Sequence, residues 1–99
     1  MSVVRLNESN FDTETSTGTT LVDFYADWCG PCKAMSGTPS KFQSETGVQL
    51  VKINVDQNRE LAQQYGVRGI PCFVVVNDGA EVGRAVGVQT LQQLKDLTI

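Results

Sequence analysis

The sequence of residues 20–32 is TLVDFYADWCGPC, in which a run of β-branched and aromatic residues leads directly into two cysteines. The run is apolar on both faces except at Asp23, a pattern typical of a central strand that is covered on both sides. Cys29 and Cys32 then follow at the carboxyl end of this strand, where ligands of open α/β sheets usually bind. The stretch therefore predicts a central strand with a thiol site at its end.

Strands and helices are predicted to alternate on either side of this stretch. The expected strands are Val3–Leu6, Thr20–Ala26, Gln49–Val55, Cys72–Val76 and Glu81–Val86, and the expected helices are Phe11–Thr17, Pro31–Glu45, Asp56–Tyr65 and a last one capped by Thr90. This order implies an α/β fold with a central mixed sheet of about five strands, flanked on both faces by about four helices.

Two local signals refine this prediction. Asn77-Asp78-Gly79 is a strong hairpin signal between the last two strands. The segment Gly37–Ser40 contains Pro39 and is poor helix sequence, so we expect a kink or break inside the helix that follows the cysteines.

Composition and charge limit the classes of function. The chain has 99 residues, 40% of them apolar and 19% charged, so we expect one globular domain over residues 1–99. The net charge is −3 without a basic cluster, which gives no support for binding to nucleic acid or anionic lipid. The chain has no histidine, which excludes serine–histidine and cysteine–histidine catalysis. Neither a secretory signal nor an apolar run of about 20 residues is found, so we expect a cytoplasmic protein that does not enter a membrane.

The cysteine pair, separated by Gly30-Pro31, has the spacing of a reactive dithiol. A thiol at the start of a helix is stabilised as thiolate by the helix dipole and by the free N–H groups of the first turn. We therefore expect Cys29 to be exposed and to attack a substrate disulfide. Cys32, one turn later and more buried, should resolve the mixed disulfide. Gly30 allows a tight turn and Pro31 stiffens it, which favours the reducing direction.

Half a zinc site and a static disulfide are the alternative interpretations of this pair. Zinc sites usually need a second cysteine pair or histidines, and Cys72 alone provides neither. A static disulfide is unusual in a chain without an export signal. We accordingly expect no metal and no separate cofactor, only the redox-active disulfide Cys29–Cys32.

Four segments resemble the thioredoxin family in sequence and in order. They are Val22–Lys33 (VDFYADWCGPCK), Val51–Asp56 (VKINVD), Tyr65–Pro71 (YGVRGIP) and Val86-Gly87. This set spans nearly the whole chain and is far more specific than a lone pair of cysteines. The resemblance implies the thioredoxin fold and a thiol–disulfide oxidoreductase, more narrowly a protein disulfide reductase that cycles between dithiol and disulfide.

The resemblance also implies roles for three residues outside the cysteine pair. Asp23 resembles the family's buried aspartate, a proton acceptor and donor for the resolving thiol, and burial should raise its pKa. Lys52 would lie beside Asp23 as its charge partner, although a solvent-facing lysine is also compatible with the strand pattern. Pro71 resembles the cis-proline that faces the cysteines and exposes the backbone of Ile70 to an extended substrate chain.

The expected substrate-binding residues resemble the shallow apolar groove around the family's active site: Trp28, Gly30, Pro31, Gly69, Ile70, Pro71 and Gly87. Its glycines would permit close approach of a substrate backbone, and Trp28 would shield Cys29. The implied partners are a thioredoxin reductase, which returns electrons, and substrate proteins that carry disulfides. We expect the chain to act as a monomer.

Two features depart from the family pattern. Cys72 stands where the family usually has threonine, and it is compatible with an inert core residue or with a regulatory thiol. Gly37 stands where the family has the proline that kinks the helix, and the proline comes two residues later, at Pro39. The stretch up to the next strand is also shorter than usual. These changes bear on helix bending and partner fit rather than on thiol chemistry.

The sequence is also compatible with two other functions. An oxidase or isomerase is the first, but related enzymes of that type often carry histidine between the cysteines, and this chain has Gly30-Pro31 there. A binding or assembly module on the same fold is the second, and the intact cysteine pair argues against a purely structural role.

Overall fold

The computed structural model describes residues 3–5, 11–35 and 37–98. Its elements are, in chain order, β1 (Val3–Arg5), α1 (Phe11–Glu14), β2 (Thr19–Tyr25), α2 (Gly30–Ala34), α3 (Thr38–Thr46), β3 (Gln49–Asn54), α4 (Arg59–Gln64), β4 (Cys72–Asn77), β5 (Ala80–Val86) and α5 (Leu91–Leu97). The predicted alternation of strands and helices is confirmed, with one helix divided in two. No helix in this described part of the chain is long and apolar enough to cross a membrane.

The strands form one mixed sheet in the order β1-β3-β2-β4-β5. β1 and β2 run parallel to β3, whereas β4 runs antiparallel to both β2 and β5. β2 is therefore the central strand, as its apolar sequence predicts, and the cysteine turn follows its carboxyl end. The predicted mixed sheet of about five strands is confirmed.

Apolar clusters cover both faces of the sheet, because successive side chains of a strand point to opposite faces. On one side, here called the α4 face, Phe11 of α1 and Leu61 of α4 pack against strand residues that include Phe24. On the other, the α3 face, Phe42 of α3 and Leu94 of α5 pack against the remaining strand residues. β2 contributes apolar side chains to both clusters, which explains why its sequence shows no alternation of apolar and polar residues.

The predicted helix Pro31–Glu45 is divided into α2 and α3. Met35 ends α2, and α3 begins at Thr38 with Pro39 in its first turn. Proline at that position disrupts no helical hydrogen bond, so the chain starts a new helix there rather than bending the first one. The predicted break is confirmed, and it accounts for one helix more than the sequence predicted.

Two helix boundaries differ from the prediction. α4 begins at Arg59 rather than at Asp56. The side-chain oxygen of Asn54 accepts the backbone N–H groups of Asp56 and Gln57 at 2.9 and 3.3 Å, which holds both residues in a turn. α1 ends at Glu14 rather than near residue 17. Residue 6, expected at the end of the first strand, and the expected capping residues 7–10 lie outside the described residues.

The C-terminal part of the chain follows its local signals. Asp78 and Gly79 both have positive φ, 50° and 86°, as the two-residue hairpin turn between β4 and β5 requires. Thr90 caps α5: its hydroxyl accepts the Gln93 N–H at 3.1 Å, and the Gln93 side chain accepts the Thr90 N–H at 2.8 Å. The predicted hairpin and the predicted cap are both confirmed.

Candidate active site

The cysteine turn begins where β2 ends. Cys29 is the N-cap residue of α2, with extended backbone, and its sulfur accepts the backbone N–H of Cys32 at 3.1 Å. Pro31 lies in the first turn of the helix, where no helical N–H is lost. The first turn therefore directs a backbone donor and the positive end of the helix at the sulfur of Cys29.

Cys29 and Cys32 are joined as a disulfide. Their sulfur atoms are 2.30 Å apart and their Cα atoms 5.3 Å apart. The structure therefore shows the oxidised form of the pair, while Cys72 is a free thiol.

The exposures of the two cysteines are the reverse of the prediction. Cys29 is only 2% exposed, and Cys32 is half-buried. The reason is the N-cap geometry, which turns the sulfur of Cys29 back over the first turn towards the N–H of Cys32. The expectation of an exposed first thiol and a more buried second one is therefore wrong for the disulfide form.

A cavity of about 190 Å³ lies beside Cys32 on the α3 face. Asp23, Lys52 and Pro71 line this cavity together with Cys32, so the structure brings four of the predicted site residues to one place. Asp23 is buried, at 5% exposed. Asp23 and Lys52 are register partners on the adjacent parallel strands β2 and β3, which places both side chains on the same face.

Lys52 has an additional neighbour that the sequence prediction missed. Its Nζ atom lies 5.1 Å from the centre of the Tyr25 ring, within the range of a cation–π contact. Tyr25 lines the same cavity, two residues after Asp23 on β2. The period-2 alternation of the strand was the available signal, because residues 23 and 25 must share a face.

Pro71 follows a cis peptide bond from Ile70, as the resemblance implied. Its carbonyl accepts the backbone N–H of Gly87 at 2.8 Å, so the two predicted groove segments are hydrogen-bonded to each other. A Cβ atom at Gly69 would lie 3.2 Å from Cγ1 of Val86, and Gly87 has a φ of 93°. A side chain at position 69 would require the half-exposed Val86 to shift slightly, whereas the positive φ at position 87 favours glycine directly.

Trp28 is 68% exposed, and its indole N–H donates to the Asp56 carboxylate at 2.7 Å. It lines a shallow depression together with Ile70. Asp56 was not predicted as a site residue. Its position two residues after β3, at the same end of the sheet as the cysteine turn, was the signal that could have found it.

Gly30 and Pro31 are exposed in the first turn of α2. They lie between Cys29 and Cys32, in the turn that joins Trp28 of the depression to Cys32 of the cavity.

Cys72 lies on the opposite face of the sheet from this cavity. It is 1% exposed and belongs to the α4-face cluster with Phe24 and Val74. Burial raises the pKa of its thiol, which keeps it protonated and poorly nucleophilic. The structure favours the inert core residue over the regulatory thiol.

Among residues 3–5, 11–35 and 37–98, no group of three or more histidine, cysteine, aspartate or glutamate side chains is arranged to hold a metal ion.

Comparisons with known proteins agree with this geometry. The family model described as thioredoxin matches residues 2–98. A thioredoxin of Bacillus subtilis is 40% identical over 98% of this chain and 95% of its own length, and one of Chlamydia caviae is 38% identical over 90% and 88%. A point mutant of a thioredoxin from Halobacterium salinarum has a solved structure that matches with a TM-score of 0.92 at 39% identity, covering 98% of this chain and 88% of that one.

These matches extend over almost the whole chain and include the fold. The paired cysteines lie in the turn that carried the resemblance, at disulfide distance. The chain belongs to the thioredoxin family of thiol–disulfide oxidoreductases.

Proposed function

We propose that the chain acts as a protein disulfide reductase, with Cys29 as the attacking thiol and Cys32 as the resolving thiol. The observation that carries this proposal is the placement of the Cys29 sulfur at the N-cap of α2, 3.1 Å from a backbone N–H. That environment stabilises a thiolate, which is the nucleophile in thiol–disulfide exchange. The assignment rests on helix position and not on exposure.

The reaction proceeds in two exchanges. The Cys29 thiolate attacks one sulfur of the substrate disulfide, forms a mixed disulfide and releases the first substrate thiolate, which takes up a proton. Cys32 loses its proton and attacks the sulfur of Cys29, which forms the Cys29–Cys32 disulfide and releases the second substrate thiol. Two electrons pass from the dithiol to the substrate, and the enzyme is left in the disulfide form that the structure shows.

Asp23 is proposed to accept the proton of Cys32 during the second exchange. Its carboxylate and Cys32 line the same cavity, whose volume of about 190 Å³ is sufficient for water molecules to connect them. Lys52, also in the cavity, is proposed to stabilise the charged form of Asp23. A positioned acid–base group of this kind avoids the release of the Cys32 thiol proton directly to solvent.

Substrate binding is proposed to use the segment Gly69–Pro71 together with Gly87 and Trp28. Ile70 is half-buried and lies beside the exposed indole of Trp28, in the same shallow depression. An extended substrate chain would pair with the backbone of Ile70, as strands are added to exposed backbone edges in other complexes. Gly87 leaves room for such a chain, because no neighbouring group in the described part of the chain occupies the space where its Cβ atom would stand.

The partners of the cycle are proposed from the chemistry. A flavoprotein thioredoxin reductase would return two electrons to the Cys29–Cys32 disulfide, and substrate proteins with accessible disulfides would receive them. We place the cycle in the cytoplasm, where reducing systems keep thiols reduced, with the chain acting as a monomer. Cell fractionation and size-exclusion chromatography test these two points.

The experiment that tests the proposal is insulin reduction followed by turbidity, with dithiothreitol as the reductant. The wild type should accelerate precipitation, and Cys29→Ser should not. Cys32→Ser should instead accumulate a mixed disulfide between Cys29 and insulin, detectable by mass spectrometry without reductant. The assignment would be overturned by equal activity of Cys29→Ser and wild type, or if Cys29→Ser accumulated a mixed disulfide on Cys32 while Cys32→Ser accumulated none on Cys29.

A further inference from the structure

The loop 66–71, which joins α4 to β4, is held at its start by a side chain from β5. Arg84 Nη2 donates a hydrogen bond of 2.5 Å to the carbonyl oxygen of Tyr65. Tyr65 is the C-cap residue of α4, and carbonyls at a helix end lack a partner within the helix. Arg84 therefore satisfies a group at the point where the loop leaves the helix.

The same strand holds the other end of the loop. The backbone N–H of Gly87, directly after β5, donates to the Pro71 carbonyl at 2.8 Å. Between the two ends, Gly69 lies so close to Val86 that a Cβ atom would approach the valine methyl to 3.2 Å. The two ends of the loop are thus hydrogen-bonded to β5 and to the residue that follows it, and Arg84 provides the side-chain bond of the two.

A β-bulge brings the partner of Arg84 to the correct face. Side chains three residues apart on a regular strand point to opposite faces. In β5, however, Glu81 pairs with Val76 and Arg84 pairs with Val74, so three steps on β5 correspond to two on β4. Val82 lies within the irregular stretch and is 62% exposed. The bulge therefore allows Glu81 and Arg84 to share a face.

Glu81 orients the guanidinium through two charge-assisted hydrogen bonds. Arg84 Nε and Nη2 donate to the two carboxylate oxygens of Glu81, each at 2.9 Å. This arrangement fixes the plane of the guanidinium, and Nη2 is then directed at the Tyr65 carbonyl. The ion pair is partly exposed, so its contribution to global stability is small and its geometric effect is the larger one.

We propose that Arg84 is a positioning residue for the substrate loop: oriented by Glu81 across the bulge, it holds the Tyr65 carbonyl and so fixes Gly69, Ile70 and Pro71 in the place where a polypeptide substrate binds. The inference rests on the proposed function, because it assigns that loop to substrate binding. It adds a residue that acts through the Tyr65 carbonyl and lines neither the cavity beside Cys32 nor the depression beside Trp28.

The test compares Arg84→Met, Arg84→Lys and Glu81→Gln with the wild type in steady-state insulin reduction, with dithiothreitol as reductant. Arg84→Met keeps an apolar stem and removes every donor. We expect its KM for insulin to rise about fivefold with kcat unchanged within twofold, because one positioning hydrogen bond is lost. Glu81→Gln should show a smaller rise, and Arg84→Lys should restore part of the loss because its ammonium still donates one bond. Reduction of hydroxyethyl disulfide, a small substrate that needs no backbone pairing, should stay at the wild-type rate.

The control variant is Lys95→Met, which removes the ion pair between Lys95 and Glu45 at 2.7 Å, with similar exposure but between α3 and α5. Its KM should equal the wild-type value.

The inference is overturned if Arg84→Met and Lys95→Met have the same KM for insulin, or if Arg84→Met slows the reduction of insulin and of hydroxyethyl disulfide equally. If Arg84→Met does not fold, Glu81→Gln decides: a raised KM supports the inference, and a wild-type KM overturns it. Cys29→Ser, assayed in parallel, reports separately on the proposed function, because an active Cys29→Ser protein would remove the basis of the loop assignment itself.

Discussion

Two buried cysteines, Cys29 in the turn after β2 and Cys72 on the α4 face of the sheet, lie in opposite chemical surroundings. Cys29 and Cys72 are almost equally buried, at 2% and 1% exposed, so burial does not distinguish them. Their surroundings do: the sulfur of Cys29 accepts a backbone N–H at the start of a helix, whereas Cys72 lies among apolar side chains such as Phe24. Equal burial thus goes with unequal chemistry: burial among apolar side chains raises the pKa of the Cys72 thiol, whereas the backbone donor and the helix start at Cys29 counteract that effect and stabilise a thiolate.

The largest expected effect comes from removing the attacking thiol. Cys29→Ser should lower the rate of insulin reduction by more than about 10³-fold, because the serine hydroxyl is not a nucleophile at neutral pH. Cys72→Ala is the matched control and should retain wild-type activity within about twofold. A comparable loss in Cys72→Ala would show that the α4 face takes part in the chemistry.

The next effect concerns the acid–base group in the cavity. Asp23→Asn keeps the size of the side chain and removes its proton exchange, so we expect the resolving step to slow by about tenfold or more. Asp27→Asn is the control, since Asp27 also lines the cavity but is exposed. Single-turnover measurements on the prereduced protein between pH 6 and 9 would give the rate of the resolving step in Asp23→Asn and in Asp27→Asn. Equal rates in both variants would mean that Asp23 does not exchange the proton.

The third effect is on stability rather than on activity. Cys72→Ser places a hydroxyl in an apolar cluster, so we expect it to lower the free energy of unfolding by about 2 kcal/mol. Cys72→Ala introduces no polar atom and should cost less. Urea denaturation of both variants measures the difference, and insulin reduction should remain near the wild-type rate. If the serine variant is as stable as the alanine variant, the surroundings of Cys72 are more polar than the structure shows.

The smallest effect is a pH dependence. Burial raises the pKa of the Cys72 thiol above its ordinary value of about 8.5. The thiol thus contributes stability that is fully present below about pH 8.5 and is lost as the pH rises through the higher pKa of the folded protein. In the oxidised form, the wild type should lose up to about 1 kcal/mol per pH unit more than Cys72→Ala in this range. Urea denaturation of both proteins from pH 8 to 10.5 measures this difference. If the free energies of unfolding of the wild type and of Cys72→Ala fall equally with pH, the burial of the thiol is contradicted.

Much of the fold could be predicted because its signals are local. The strand Thr19–Tyr25, the hairpin at Asp78-Gly79 and the cap at Thr90 each depend on residues that are adjacent or a few positions apart. The start of α4 was predicted wrongly, although the side chain that sets it is also only two or three residues away. Asp56 and Gln57 suit a helix start, but the Asn54 side chain competes for their N–H groups and delays the helix to Arg59.

The candidate site was predicted in part. Spacing alone identified the pair Cys29 and Cys32, and the family resemblance supplied Asp23, Lys52 and Pro71, which the structure places around one cavity. The exposures of the cysteines were predicted wrongly, because they depend on the direction in which the N-cap side chain turns, and sequence spacing does not contain that direction. Asp56 and Tyr25 were missed because their contacts with Trp28 and Lys52 cross between different strands and turns.

The sequence by itself determined which residues can carry the chemistry and where helices and strands must break, because backbone preferences and thiol spacing are properties of neighbouring residues. The tertiary structure alone decided which of these residues meet. The pairing of β2 with β3 places Lys52 beside Asp23, and the opposite face of the sheet isolates Cys72. A bulge in β5 brings Glu81 to Arg84, which reaches the end of α4. Each of these contacts depends on strand register, and register is set by packing across the whole sheet.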